Sequence, residues 1–199
     1  IRLSRSLPIV SATRLQELPR ESKVLLAVTD RVGDAMFRTP AIRILAQAYP
    51  HIRFDALTFD PGAQTILSRH PDLVKVHMLT EKQSIADLAQ SYDLLVNTRS
   101  SNTRRYLSRV EIPIIQHRRI DRQAHKTEDL LRFIQTLLPR QRGLKNDDRT
   151  YILPVDTEIQ SCVEQRLKGQ YGLNIGRHSL IGLHLGCASV RKYKLFFSR

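Results

Sequence analysis

The sequence is poor in cysteine and in long apolar runs, and both shortages exclude classes of protein. Cys162 and Cys187 are the two cysteines, and they are too far apart to build a disulfide framework or a four-ligand zinc site. We expect both to be buried thiols. No apolar stretch approaches the roughly 20 residues that a membrane span needs, and residues 1–10 lack the pattern of a signal peptide. These absences predict a globular, cytoplasmic protein.

Glycine is also scarce, and its placement argues against a dinucleotide cofactor. A dinucleotide fingerprint needs three glycines spaced G-x-G-x-x-G between a strand and a helix. The loop after the first predicted strand holds Gly33 alone. The sequence therefore disfavours a nicotinamide or flavin enzyme.

Acidic residues are fewer than basic ones. The chain has 19 Asp and Glu and 32 Lys and Arg, which gives a formal charge of +13. Such a field attracts nucleic acid, an anionic membrane face, or a phosphorylated or carboxylated substrate. A basic cluster stands out in the middle of the chain: Arg99, Arg104, Arg105, Arg109, Arg118, Arg119, Arg122 and Lys126. It is either an anion-binding surface or an ordinary solvated surface. A nucleic-acid role is disfavoured because aromatic residues do not alternate with the basic ones in a recognised motif.

Predicted strands alternate with predicted helices along most of the chain. An apolar run at 23–28 predicts a buried strand, and apolar residues at helical spacing predict a helix over 34–49, which Pro50 ends. The same alternation predicts strands at 52–58, 73–78, 92–97, 112–115 and 179–184, and helices at 62–69, 82–90, 126–138 and 156–168. This order indicates an α/β, Rossmann-like parallel sheet with helices on both faces.

The domain organisation follows from where this alternation begins and ends. We expect residues 1–22 to form an N-terminal arm and residues 23–150 to form the Rossmann-like domain, with a polar linker at 139–150. Residues 151–199 are expected to carry a linker helix and the first strand of an incomplete second domain.

The loop from Thr29 to Asp34 is the strongest candidate site. Ligands of open parallel sheets bind beyond the carboxyl ends of the strands, and this loop is the first such end. Gly33 would let the backbone turn and approach a ligand closely, and the helix start favours an anion or a sugar hydroxyl. Asp34 has two interpretations, a helix N-cap or a base that takes a proton from an acceptor hydroxyl. Asp30 is a second carboxylate in the same loop.

A family resemblance rests mainly on these residues. The stretch from Thr29 to Pro50, with its Gly-Asp, Thr-Pro-Ala and Tyr-Pro motifs, resembles the opening of glycosyltransferase family 9, which contains the ADP-heptose:lipopolysaccharide heptosyltransferases. Residues 92–98, His125 with its following helix, and residues 181–187 are similar to later segments of that family.

The resemblance implies a GT-B enzyme, in which two Rossmann-like domains face each other across a cleft. The chain would be the N-terminal, acceptor-binding half with the start of the donor-binding domain. It would transfer a heptose or related sugar from a nucleotide-sugar, ADP-heptose by this resemblance, to a lipopolysaccharide core, with inversion. Asp34 would be the catalytic base, and no metal or cofactor is implied. An anionic glycolipid acceptor and peripheral contact with the inner membrane face are the expected partners, and nucleic acid is not.

The expected substrate-binding residues come from the loop and the basic cluster: Thr29, Asp30, Arg31, Gly33, Arg99, Arg104 and Arg105. Gly186 and Lys192 are weaker donor-binding candidates. The family continues with a Lys-x-Trp-Pro type segment and a longer donor domain, whereas this chain has no tryptophan and stops at residue 199. We therefore expect a truncated donor site, and an inactive chain if it really ends there. The alternative is a non-catalytic anion-binding domain or a truncated remnant.

Overall fold

The computed structural model describes residues 8–29, 31–80, 84–99, 107, 109–118, 123–153 and 155–174. The chain divides into two compact units at residue 154. Within the described ranges, no helix has both the length and the apolar character required to cross a bilayer.

Five parallel strands form the sheet of the first unit. They are β1 (Lys23–Ala27), β2 (Arg53–Thr58), β3 (Lys75–Met78), β4 (Leu94–Asn97) and β5 (Ile114–Gln116). Their order is β3-β2-β1-β4-β5, and every neighbouring pair is parallel. The Rossmann-like α/β fold expected from the sequence is confirmed. The chain moves outward from β1 to β3 and then returns to β4, so the topological switch point lies between β1 and β4.

Helices cover both faces of this sheet. They are α1 (Val32–Met36), α2 (Thr39–Ala48), α3 (Pro61–Leu67), α4 (Ile85–Ala89) and α5 (Lys126–Leu137), with 3-10 helices at Ala12–Leu15 and Asn146–Arg149. Successive side chains of a strand point to opposite faces. Val24 and Leu26 of β1 therefore join the core under α2, α3 and α5, while Leu25 and Ala27 join the core under α4.

The sequence predicts one continuous helix where the structure has α1 and α2. Pro40 lacks an N–H, so it cannot donate to the carbonyl of Met36 as an uninterrupted helix requires. The Thr39 hydroxyl donates to that carbonyl instead, at 2.9 Å. Proline is tolerated here because its missing N–H falls in the first turn of α2. The break separates the short α1, which carries Asp34, from α2.

Two segments of the first unit that flank the predicted Rossmann-like region also pack against it. Ile9 forms a parallel bridge with Ile114 of β5, and both Leu15 and Leu18 are buried in the core. The polar stretch at 139–150 lies against α2, where Arg43 Nη2 donates to the carbonyls of Asp147 at 2.7 Å and Thr150 at 3.3 Å. These bonds fix the end of the unit to the helix that follows the candidate loop.

The second unit contributes α6 (Thr157–Tyr171) to the described residues. Asp156 caps it by accepting from the Glu158 N–H at 2.9 Å, and Gly172 ends it in the left-handed conformation that glycine favours. None of the residues of α6 is buried.

The expectation of two buried thiols is wrong for Cys162, which is exposed on α6. The reason is that this helix buries no face against the described residues of its own unit. Cys187 and the strand predicted at 179–184 lie outside the described residues.

Candidate active site

At the switch point, hydrogen bonds from Thr98 connect the carboxyl ends of β1 and β4. Thr98, which follows β4, donates its hydroxyl to the carbonyl of Ala27 at 2.8 Å, and its N–H reaches the same oxygen at 3.4 Å. Thr29, which follows β1, lies at the same edge. The two strand ends are therefore joined at the place where this class of sheet binds its ligands.

Thr29 has an unsatisfied polar atom there. Its Oγ1 is buried and has no hydrogen-bond partner among the described residues. Leaving such an atom unpaired costs about 1–3 kcal/mol. A ligand hydroxyl or phosphate oxygen at this position would remove that cost.

Asp34 is not a helix cap. It is the third residue of α1, whose N-cap is Arg31, and no described backbone N–H donates to its carboxylate. Its Oδ1 accepts from the Nζ of Lys126 at 2.7 Å, and its side chain is 29% exposed. The N-cap interpretation of Asp34 is therefore wrong, and its carboxylate contacts a residue from a distant part of the chain.

The first residue of α5 is Lys126, and the start of this helix is held by local bonds. The N-cap His125 accepts from the Thr127 N–H through Nδ1 at 3.3 Å. The ring of Phe37, at the end of α1, lies edge-on to His125 at 5.0 Å and 5.8 Å from Tyr151. The Tyr151 and Thr127 hydroxyls are 3.3 Å apart. Aromatic packing and hydrogen bonds thus place the start of α5 beside α1.

A glycine outside the predicted loop controls where α1 lies. Gly33 is within α1 and does not have a positive φ, and a Cβ added there would meet nothing within 4 Å. The turn expected from Gly33 is therefore absent. A Cβ on Gly62, at the start of α3, would lie 3.0 Å from Cβ of Val32 and 3.1 Å from Asp60 Oδ1. The close approach of α1 to α3 depends on Gly62.

The segment after β4 is fixed by side-chain amides. Asn97 Oδ1 accepts from the Arg99 N–H at 3.2 Å, and Gln116 Nε2 donates to the Arg99 carbonyl at 2.9 Å. The two amides are themselves joined at 2.8 Å. The backbone of Arg99 is therefore set by the ends of β4 and β5, with its side chain half-buried at the switch point.

A buried histidine connects β5 to α5. His117 Nδ1 lies 3.0 Å from the Thr98 carbonyl, Nε2 lies 3.1 Å from Asp129 Oδ2, and the ring stacks on Phe133 at 4.8 Å. Arg38 Nη1 donates to the same Thr98 carbonyl at 2.6 Å. Burial lowers the pKa of His117 below its usual value, and the contacts with Thr98 and Asp129 oppose that shift. The contacts attach the first turn of α5 to the switch point.

The basic cluster is divided by the fold. Arg99 and Arg118 follow β4 and β5, and Lys126 begins α5, so all three belong to the carboxyl edge. Arg109 is exposed and precedes β5, which places it toward the opposite edge. Arg31 is exposed at the start of α1. The other candidates lie outside the described residues: Asp30, Arg104, Arg105, Arg119, Arg122, Gly186 and Lys192.

No three His, Cys, Asp or Glu side chains in the described part of the chain are placed to hold a metal ion.

A solved structure shares the fold of this chain. The glycosyl transferase family 9 protein from Veillonella parvula DSM 2008 matches with a TM-score of 0.58 and 16% identity, over 77% of this chain and 50% of that one. Over the matched region, this is the fold of glycosyltransferase family 9. The sequence resemblance is confirmed at the level of the fold. The chain spans about half the length of that glycosyltransferase.

Further matches are weaker. The E. coli heptosyltransferase WaaC with ADP matches with a TM-score of 0.46 and 18% identity, over 61% of this chain and 50% of that one. WaaC with ADP-2-deoxy-2-fluoro heptose matches with a TM-score of 0.42 and 18% identity, over 61% and 51%. No family model and no curated protein matches the sequence.

Two residues at this edge were not predicted from the sequence as site residues: Thr98 and His117. Lys126 was predicted only as a member of the basic cluster, and its pairing with Asp34 was not predicted. Thr98 had a signal, because it follows a predicted strand as Thr29 does. His117 and Lys126 had only weak signals, because their partners are distant in sequence.

Proposed function

We propose that this chain is the acceptor-binding half of a glycosyltransferase that moves a heptose, or a related sugar, from a nucleotide-sugar to a lipopolysaccharide core. One observation carries the proposal. Asp34 lies at the switch-point edge with a part-exposed carboxylate that does not cap its helix. The family 9 fold supports the reaction class, and the sugar and the acceptor rest on the sequence resemblance.

Asp34 acts as the general base in this proposal. An acceptor hydroxyl gives its proton to the carboxylate while its oxygen attacks the anomeric carbon of the donor. The bond between that carbon and the nucleoside diphosphate breaks, so the sugar carbon inverts. A positioned base contributes about 10²- to 10⁴-fold to such a rate.

The acceptor meets the residues at the carboxyl edge. Arg99 and Arg118 supply positive charge for phosphate and carboxylate groups, and guanidinium groups can bind such anions with two hydrogen bonds. The unpaired Oγ1 of Thr29 is available to a sugar hydroxyl. The same positive edge would favour peripheral contact with an anionic membrane face.

The donor is proposed to be ADP-heptose, bound without a metal or other cofactor. Gly186 and Lys192 remain its proposed contacts in this chain, and both lie outside the described residues.

The test compares Asp34 with a structural aspartate. Asp34→Ala, in the protein expressed from its complete gene, should lower sugar transfer from ADP-heptose at least about 100-fold while the melting temperature stays unchanged. Asp60 is the matched control because its Oδ1 caps α3 by accepting from the Ala63 N–H at 2.8 Å. Asp60→Ala should lower stability by about 0.5–2 kcal/mol and retain transfer. Transfer at the unmodified rate by Asp34→Ala would refute the assignment.

A non-catalytic anion-binding domain is the second candidate. The observation that favours it is the grouping of Arg99, Arg118 and Lys126 at one edge. It predicts binding of heparin that weakens steeply as salt rises, with no preference for a lipopolysaccharide core over heparin. Selective binding of the core at physiological salt would reject it.

A further inference from the structure

The ion pair between Asp34 and Lys126 joins two helices that are 92 residues apart in the sequence. The Nζ···Oδ1 distance is 2.7 Å, and the lysine side chain is 65% exposed. No described residue donates a hydrogen bond to the other carboxylate oxygen, Oδ2. We infer that Lys126 is a positioning residue that fixes the carboxylate of Asp34 through Oδ1 and leaves Oδ2 to accept the proton. This inference rests on the proposed function.

The stability of α5 does not account for a lysine at this position. Lys126 is the first residue of the helix, where the positive end of the helix dipole disfavours a cation. The acids of the same turn are engaged elsewhere. Glu128 faces Arg132 at 3.7 Å and Arg149 at 3.6 Å, and Asp129 faces His117 at 3.1 Å. Among the described residues, the ion partner of Lys126 is Asp34. The positive charge of Lys126 therefore acts on Asp34 and not on an acid of its own helix.

The start of α5 is held firmly enough for this role. His125 caps the helix and packs edge-on against Phe37, which directly follows α1. Asp129, in the same first turn of α5, contacts His117 at the end of β5. Asp34 therefore lies on α1 and Lys126 on α5, and these two helices pack against each other through Phe37 and His125.

The chemical consequence concerns one oxygen of the carboxylate. A carboxylate that can rotate offers either oxygen to the acceptor hydroxyl in many orientations. The bond from Lys126 holds Oδ1, and a base with a defined orientation gains rate because reacting groups displaced by about 1 Å lose about 100-fold. Lys126 need not touch the acceptor to have this effect.

The experiment measures sugar transfer by the protein expressed from its complete gene, with ADP-heptose and a lipopolysaccharide core acceptor. The variants are Lys126→Met, Lys126→Arg, Asp34→Asn and, as a matched control, Lys168→Met on α6. We expect Lys126→Met to lower kcat about 10- to 100-fold without changing KM for ADP-heptose. Lys126→Arg keeps a donor that can reach Oδ1, so it should restore most of kcat. Lys168→Met should behave as the unmodified protein, and all four should keep its melting temperature.

The outcomes separate this inference from the function on which it rests. If Asp34→Asn transfers sugar normally, the proposed base and the role of Lys126 both fall. If Asp34→Asn is inactive and Lys126→Met keeps its kcat, only the inference falls. A change confined to KM for the acceptor would make Lys126 an acceptor contact and would also overturn it. Equal losses in Lys126→Met and Lys126→Arg, with a lowered melting temperature, would indicate a structural role instead.

Discussion

The hydroxyl of Tyr92 donates to Oδ2 of Asp55 at 2.8 Å, and both side chains are buried near the amino end of the sheet. His77 Nε2 lies 2.8 Å from the same hydroxyl, and Arg53 Nε lies 3.4 Å from Asp55 Oδ1. Because Tyr92 donates to the carboxylate, its oxygen accepts from His77. Burial raises the pKa of Tyr92, so the hydroxyl keeps its proton. One hydroxyl thus connects β2, the edge strand β3 and the residues before β4.

Removing this hydroxyl should destabilise the protein. Tyr92→Phe leaves Asp55 Oδ2 and His77 Nε2 without their shared partner, and we expect a loss of about 1–3 kcal/mol in the free energy of unfolding. Urea denaturation would measure it. Tyr171→Phe is the control, because Tyr171 is 67% exposed on α6 and should change the value by less than about 0.5 kcal/mol. Equal stability of the two variants would show that the buried network contributes nothing.

Gly62→Ala should displace α1. The added Cβ would lie 3.0 Å from Cβ of Val32 and 3.1 Å from Asp60 Oδ1, so Val32 and Asp60 must each give way by a few tenths of an ångström. We expect a loss of about 1–3 kcal/mol in denaturant unfolding, as for other overpacked sites. Gly169→Ala is the matched control, because a Cβ there meets nothing within 4 Å on α6. It should stabilise that helix by about 0.5–1 kcal/mol. Unchanged stability of Gly62→Ala would contradict the close packing of α1 on α3.

Stability should fall as the solution becomes acidic. Burial lowers the pKa of His70, His77 and His117 below the value of about 6.5 that the unfolded chain has. The unfolded state therefore binds protons first, and stability present above about pH 6.5 is lost as pH falls toward the lowered folded values. Protonation of His70 would also break a hydrogen bond, because its Nδ1 accepts from the Asp72 N–H at 3.2 Å.

Melting temperatures measured from pH 8 to pH 5 would test this dependence. We expect them to decrease below about pH 6.5, and His70→Gln should make the decrease shallower because one of the three proton-binding sites is removed. A melting temperature that rises on acidification would show that these histidines gain protons on folding.

Much of the fold could be predicted from local pattern. The β-branched runs and helical spacings place all five strands and α2 to α6 within a few residues, because burial on a sheet imposes its periods on the sequence. The break between α1 and α2 could not be read from apolar spacing, since it depends on a hydroxyl of Thr39 replacing the N–H that Pro40 lacks. The exposure of Cys162 was also mispredicted. The number and spacing of the cysteines do not show whether α6 buries a face, and none of its residues is buried.

The candidate site also has some features that the sequence determined and others that only the tertiary structure decided. By itself, the sequence determined that the loop at Thr29 follows a strand and carries Asp34, because both facts are local. The tertiary structure alone decided that Asp34 meets Lys126, that His117 meets Asp129, and that Arg109 precedes β5 whereas Arg99 lies at the carboxyl edge. These outcomes depend on the strand order β3-β2-β1-β4-β5, which brings the ends of β1 and β4 together and carries the start of α5 over them. Strand order arises from packing between residues far apart in the chain, and no local periodicity encodes it.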